Sequence, residues 1–427
     1  MRRPAVLLAL ALAAPLAACA SADEGPPTLM WYINPDSGGQ ARIASECSEE
    51  SGGAYRLEVT LLPRDAPSQR EQLVRRLAAG DTSIDLMSID PPFVPEFANA
   101  DFLAEVPDDV ADAVTQDVAE GAVAAATFDD ELVVVPFWAN TQLLWYRKSV
   151  AEAAGLDMTQ PVTWDQVIQA AADQDVTVAV QGTRAESLTV WVNALVESAG
   201  GHVLENPEEE DPRAVVPSLD SDAGRTAAQI IADLTAAGVG GPQLSNATED
   251  INASMFESDD AGFMVNWPFV WQRGKAGVEG GSLDQATLDD YGWAMYPQAV
   301  EGEQARPPIG GVTLGVSAFG EHQDLAFEAA QCIVQPEKQA AYYISDGNPP
   351  GSLAAFDDPE VQEEFPMADL IRESLQHAAP RPQTPFYNEV SSSIQRTWHP
   401  PRSVSPDSGP GRADTLVMDV LQGRALL

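Results

Sequence analysis

The chain has 427 residues, 44% of them apolar and 21% charged, room for two packed domains of ordinary size or three small ones. Its formal charge is -42 at pH 7, and so acidic a surface repels phosphate, which disfavours nucleic acid as a partner. Solvation of an exported surface is enough to account for the acidity, and it does not call for a cationic ligand.

Arg2 and Arg3 precede an apolar run over residues 5–16, followed by Ala17, Ala18 and Cys19. A basic start, a short greasy core and small residues predict an export signal over residues 1–18, not a spanning helix. The ending Leu16-Ala17-Ala18-Cys19 resembles the bacterial lipobox, where cleavage precedes the cysteine and the cysteine carries the lipid. Ordinary secretion with an incidental Cys19 is the alternative. Residues 19–27 then read as a lipid-anchored leash holding the protein on the outer face of the cell membrane. Cys47 and Cys332 remain. Outside the cell an isolated pair often bonds, so a Cys47–Cys332 disulfide is expected, with two buried free thiols as the alternative.

In chain order, residues 29–33 form a first strand running into Asn34-Pro35-Asp36-Ser37-Gly38-Gly39, and a helix follows over 40–50. Residues 55–61 alternate as a second strand. A helix over 66–79 closes at Gly80, a residue suited to the left-handed cap. Residues 84–89 form a third strand before Asp90-Pro91-Pro92. This βαβαβ rhythm predicts an α/β protein with a largely parallel sheet flanked by helices. In such sheets ligands sit beyond the carboxyl ends of the strands. Asn34, Asp36, Arg64 and Asp90 all follow strand ends. Asp36 and Asp90 are also good turn formers.

The stretch VVVPFWANTQLLWYRK, residues 133–148, places two rings and two amides between two apolar runs. Pro136 is expected to end the first strand, since it has no amide proton for a ladder. With no helix between the runs, the chain can pass here from one sheet to another beside a ligand cleft. A bent strand with aromatics in the core is the alternative. Beyond it, Thr163 caps a helix, residues 176–180, 262–266 and 293–296 read as strands, and 186–199 and 223–237 as helices. Gly310-Gly311 precedes a further strand, residues 325–343 are one long helix or a pair, and the tail from 358 is helical. Trp145 and Trp164 are assigned to the core.

Several pieces in this order resemble the solute-binding proteins of sugar ABC importers, family 1, which includes the maltose- and trehalose-binding proteins. They are Asp85-Leu86-Met87 leading to Asp90, Val135-Pro136 with Leu144-Trp145-Tyr146-Arg147-Lys148, Thr163-Trp164-Asp165, Gly262-Phe263-Met264, Gly310-Gly311, Pro336-Glu337-Lys338-Gln339 and Gly347-Asn348-Pro349-Pro350. Within the family the chain looks most like the actinobacterial trehalose-binding lipoproteins. The resemblance implies a type II-like periplasmic-binding-protein fold: two lobes of mixed sheet and flanking helices joined by hinge strands. Lobe 1 takes residues 28–137 and 311–355, and lobe 2 takes 138–310 and 356–427. Cys47 and Cys332 then fall in one lobe. The resemblance assigns ligand contacts to Asn34, Asp36, Asp90, Asn140, Trp267, Trp271, Gly310, Gly311 and Tyr387, with Arg381, Glu249 and Arg64 as looser matches. It implies a monomer that captures a disaccharide, trehalose, and delivers it to ABC permease subunits, without a cofactor.

Sugar chemistry suits these residue types. Carboxylates accept hydroxyl protons in charge-assisted bonds, Asn offers both a donor and an acceptor, Arg offers a fixed fork of donors, and an indole covers a pyranose face. Two carboxylates flanking a sugar also describe a glycoside hydrolase, which is the main rival, and a lipid-anchored chaperone without a small ligand is another. No HExxH, phosphate loop or GxSxG elbow occurs in the sequence, and His202, His322, His377 and His399 have no metal-ligand spacing.

Overall fold

The structure is a computed structural model and describes residues 25–258 and 260–427. The export signal and Cys19 lie outside the described residues. Eleven strands are present among the described residues: β1 (Thr28–Ile33), β2 (Arg56–Leu61), β3 (Leu86–Ile89), β4 (Thr127–Phe128), β5 (Glu131–Leu132), β6 (Val135–Thr141), β7 (Leu143–Arg147), β8 (Thr177–Ala179), β9 (Ala261–Asn266), β10 (Tyr291–Ala294) and β11 (Ile309–Val316). They build a five-stranded sheet in the order β2-β1-β3-β11-β6, a four-stranded sheet in the order β10-β7-β9-β8, and the small β4-β5 hairpin.

The first three strands are parallel, as the alternating rhythm predicts, while β11 runs antiparallel to both β3 and β6. The sheet is therefore mixed. Side chains on a strand alternate between faces, so Leu29, Trp31 and Ile33 join the cluster under helix Gly39–Glu50, and Tyr32 joins the one under helix Ala66–Leu77. The second sheet has its own core, with Trp164, Trp191 and Phe263 fully buried, and Trp145 is buried beside it.

The two sheets meet at one residue. β6 ends at Thr141 in the first sheet, β7 begins at Leu143 in the second, and only Gln142 lies between. Pro136 does not end a strand, contrary to expectation. It sits within β6 opposite Thr313, where the register shifts. β6 is an edge strand, and an edge tolerates the missing amide proton. Thr163 forms the expected cap, with Gln166 answering it in a capping box. The segment read as one helix or a pair is two helices, Gln323–Ile333 and Pro336–Asp346.

Cys47 and Cys332 are bonded, with their Cα atoms 5.9 Å apart across a sequence separation of 285. The bond fastens helix Gly39–Glu50 to helix Gln323–Ile333. Closing so long a loop restricts the unfolded chain strongly. The double substitution Cys47→Ser with Cys332→Ser should lower stability by about 2–4 kcal/mol. An unchanged denaturation midpoint relative to the oxidised parent would refute that.

Candidate functional site

A cavity of about 720 Å³ lies between the two sheets. Asp90, Asn140, Trp267, Gly310, Gly311, Arg381, Glu249 and Arg64 all line it. A second cavity, of about 920 Å³, carries few of these groups. Size favours that second cavity. The convergence of carboxylates, amides, a guanidinium and an indole favours the first, because specific sites need a few placed polar groups beside apolar surface.

At the centre is Arg381. Its Nη2 donates to Asp90 Oδ1 at 2.7 Å and its Nη1 to Glu186 Oε1 at 2.9 Å. Asp90 follows β3 in the first sheet, while Glu186 heads helix Glu186–Ser198, which packs into the core of the second. The guanidinium thus ties one lobe to the other. Its side chain is 5% exposed. Burial alone would ease its deprotonation, but the adjacent Asp90 and Glu186 charges reverse that and raise its pKa above the ordinary arginine value, so the cation is permanent. Glu186 is held further by the hydroxyl of Ser391 at 2.6 Å and by that of Tyr387.

The rim of the Trp267 ring packs against the backbone of β11 at Gly310. A methyl group at Gly310 would meet its ring carbons at 3.0 and 3.1 Å. Its position comes from Asn266, the last residue of β9, whose Oδ1 accepts the Trp267 amide at 2.9 Å. The Nδ2 of the same Asn266 donates to the Glu249 carbonyl at 2.9 Å. One buried amide therefore sets both an aromatic and an acidic member of the cleft. No side chain is hydrogen-bonded to the Glu249 carboxylate among the described residues, and burial, then the charges of Asp250 and Glu186, pushes its pKa up.

Four expected ligand residues lie elsewhere. Asp36 accepts the backbone amides of Gly38 and Gln40 at 3.0 and 2.8 Å and the side chain of Gln40, so it organises the start of helix Gly39–Glu50. Asn34 does not line the cleft; its carbonyl accepts Gln40 Nε2 at 3.0 Å. Trp271 is inside helix Phe269–Glu279, donates its indole N–H to the Glu364 carbonyl at 2.8 Å and meets Trp293 edge-on. Trp267 precedes that helix, so the spacing of four does not put the two indoles on one face. Tyr387 is buried against Phe93 and serves Glu186.

Sequence reading missed Glu186, Asn348 and the helix face of Asn388, Ser391, Ser392 and Gln395, all of which line the cleft, as does Trp138, one of the two rings of the crossing stretch. The 388, 391, 392, 395 spacing on helix Tyr387–Trp398 was the available signal for that face. Asn348 stood in a motif already singled out, Gly347-Asn348-Pro349-Pro350.

Solved structures resemble most of the chain. Maltose-bound T. maritima MalE3 has a TM-score of 0.77 at 23% identity, covering 92% of this chain and 99% of that one. The GacH receptor of Streptomyces glaucescens GLA.O, solved unliganded and in complex with acarbose and an acarbose homologue, has a TM-score of 0.75 at 19% identity over 94% and 100%. The cyclic alpha-maltosyl-1,6-maltose binding protein from Arthrobacter globiformis has 0.72 at 20% over 93% and 100%. The shared architecture is the two-lobe periplasmic-binding-protein fold. The family model for bacterial extracellular solute-binding proteins matches residues 55–340. With two thirds of its length under that model and its lobes closing on one polar, aromatic-walled cleft, the chain belongs to the family of bacterial extracellular solute-binding proteins.

Proposed function

We propose that the chain is the sugar-capturing subunit of an ABC importer, tethered through Cys19, that binds a disaccharide, trehalose, between its lobes as a monomer and passes it to permease subunits in the membrane. The observation that carries this reading is the cleft itself. An indole packed on Gly310 lines one cavity together with polar side chains of both lobes. A ligand touching both lobes shifts the population toward the closed form that a permease recognises. The relatives named above bind maltose, acarbose and a cyclic maltosyl sugar, which supports a glucose-built ligand. The lobes divide where the sheets do. We take the first boundary at Gln142 and the second just before Ile309, in place of the residues 137 and 311 that the resemblance implies, a division that the sheet order and the pairing of β11 with β6 support.

Hydrolysis is the less favoured reading. Asp90 and Glu186 are both fastened to one permanent cation, which suits holding hydroxyls better than cycling a proton. Incubating the pure protein with trehalose and with maltose decides. Saturable heat without products is expected, and release of glucose would overturn the binding role.

Two outcomes follow from the site. Trp267→Ala removes the ring packed on Gly310 and should weaken sugar binding at least tenfold, about 1.4 kcal/mol, with the thermal transition little moved. Unchanged affinity by calorimetry would dismiss the stacking role. The second concerns pH. Ligand hydroxyls donating to Glu249 favour its ionised form, and its pKa in the empty cleft is raised. Protonation then competes with the ligand, so affinity should fall as pH drops through that raised value, beginning above the ordinary glutamate pKa of about 4.3. Glu249→Gln should flatten this limb of the profile. A parent whose affinity is constant from pH 7 to pH 4.5 would contradict it.

A further inference from the structure

The second cavity lies on the far side of Arg381. It is bounded by Val123 and Ala124 from the first lobe and by Leu204, Arg306, Pro380 and Gln383 from the second. Among the described residues Arg381 alone lines both cavities. Its guanidinium points to the front cleft, where Asp90 and Glu186 hold it, while its own carbonyl accepts Gln383 Nε2 at 3.0 Å on the far side. Arg381 therefore stands between the two cavities, with its guanidinium in the front cleft and its backbone bonded to Gln383 of the rear one. Beyond it, Gln383 Oε1 is buried without a partner, and Arg306 supplies donors. A sugar chain could use that chemistry if it could reach it.

We infer that Arg381, clamped between Asp90 and Glu186, is the end wall that sets the length of sugar the cleft accepts, by shutting off a second interlobe cavity able to take further rings. This rests on the sugar-binding reading above. The clamp matters because an arginine side chain left free would swing aside; two carboxylates at opposite edges of the planar fork hold it across the passage. Selection by length is then selection by exclusion.

The test compares a disaccharide, trehalose or maltose, with maltotetraose by calorimetry on the full mature chain. The parent should bind one of the disaccharides at least tenfold more tightly than the tetrasaccharide. The triple substitution Asp90→Asn, Glu186→Gln, Arg381→Ser opens the wall without leaving carboxylates unpaired, and should move the ratio of the two dissociation constants at least tenfold toward maltotetraose. Adding Ala124→Trp to that triple refills the rear cavity and should reverse the gain. Ala124 is exposed at the end of helix Glu120–Ala124 and lines the rear cavity only. In the parent background Ala124→Trp should leave the disaccharide constant within twofold, which keeps the inference testable should the triple variant not fold. A tenfold loss there, or an unmoved ratio in a folded triple variant, overturns the wall while the sugar reading stands. A parent that binds neither sugar overturns the sugar reading and the wall with it.

Discussion

Replacing Arg381 by alanine should cost about 3–5 kcal/mol of folding stability, the range for removing one partner from a buried ionic cluster. The guanidinium is 5% exposed, and Asp90 and Glu186 are 19% and 16% exposed at their side chains. Taking the cation away leaves two carboxylates facing each other with little water. Lysine is a poor substitute, since one ammonium cannot span both acids in the plane the fork provides. The sign of the pH dependence identifies the cause. In Arg381→Ala the freed acids take up protons more readily in the folded state than in the unfolded one, so the deficit relative to the parent should shrink as pH falls from 7 toward 5. Urea denaturation at the two pH values measures this. A deficit below 1 kcal/mol, or one that widens on acidification, would mean that the cluster is screened by solvent and is not the tie between the lobes.

That cluster also shows where sequence reading stops. Arg64 and Asp90 were legible because they follow strand ends, and strand ends are local features with a known relation to ligands. Trp267 was legible through the family resemblance, in the loop after a fully buried strand. Glu186 was not. An acidic first residue is ordinary at any helix N-terminus, and its partner lies 195 residues downstream. Asp36 shows the ambiguity from the other side: a carboxylate after a strand can serve the next helix as well as a ligand, and here it accepts the Gly38 and Gln40 amides. Pro136 was misread because its meaning depends on whether the strand is central or at an edge, which is a property of the sheet and not of the heptapeptide around it. The element order survived these misreadings because caps, periodicity and turn residues act within a few positions of one another.

Asn266 extends the same point to the site. It is fully buried, at the end of an apolar strand, where an asparagine looks out of place. Its two amide atoms serve the Trp267 and Glu249 backbones. A buried polar side chain is retained where its hydrogen bonds are satisfied, and here they orient the two cleft residues with the least in common chemically.

The neighbouring glycines of β11 should fail in different ways. Gly311 has φ +121°, a region that side chains rarely enter, and a methyl group there would lie 2.1 Å from the carbonyl oxygen of Trp138. Backbone cannot yield as a side-chain tip can, because Gly311 is paired with Ala139 in the ladder joining the crossing strand β6 to the rest of its sheet. Backbone strain of about 1–3 kcal/mol and overpacking of a similar size put Gly311→Ala at roughly 3–5 kcal/mol of lost stability. Gly310→Ala meets only the rim of the Trp267 indole, at 3.0 and 3.1 Å, with an ordinary backbone angle. The ring gives by a few tenths of an ångström, so this variant should keep its unfolding midpoint and show its effect in sugar affinity. Chemical denaturation of both proteins beside calorimetry of the second separates the two. Equal stability losses would mean that the indole is as rigidly held as the strand, and a stable Gly311→Ala would mean that β6 and β11 can part at the crossing without cost.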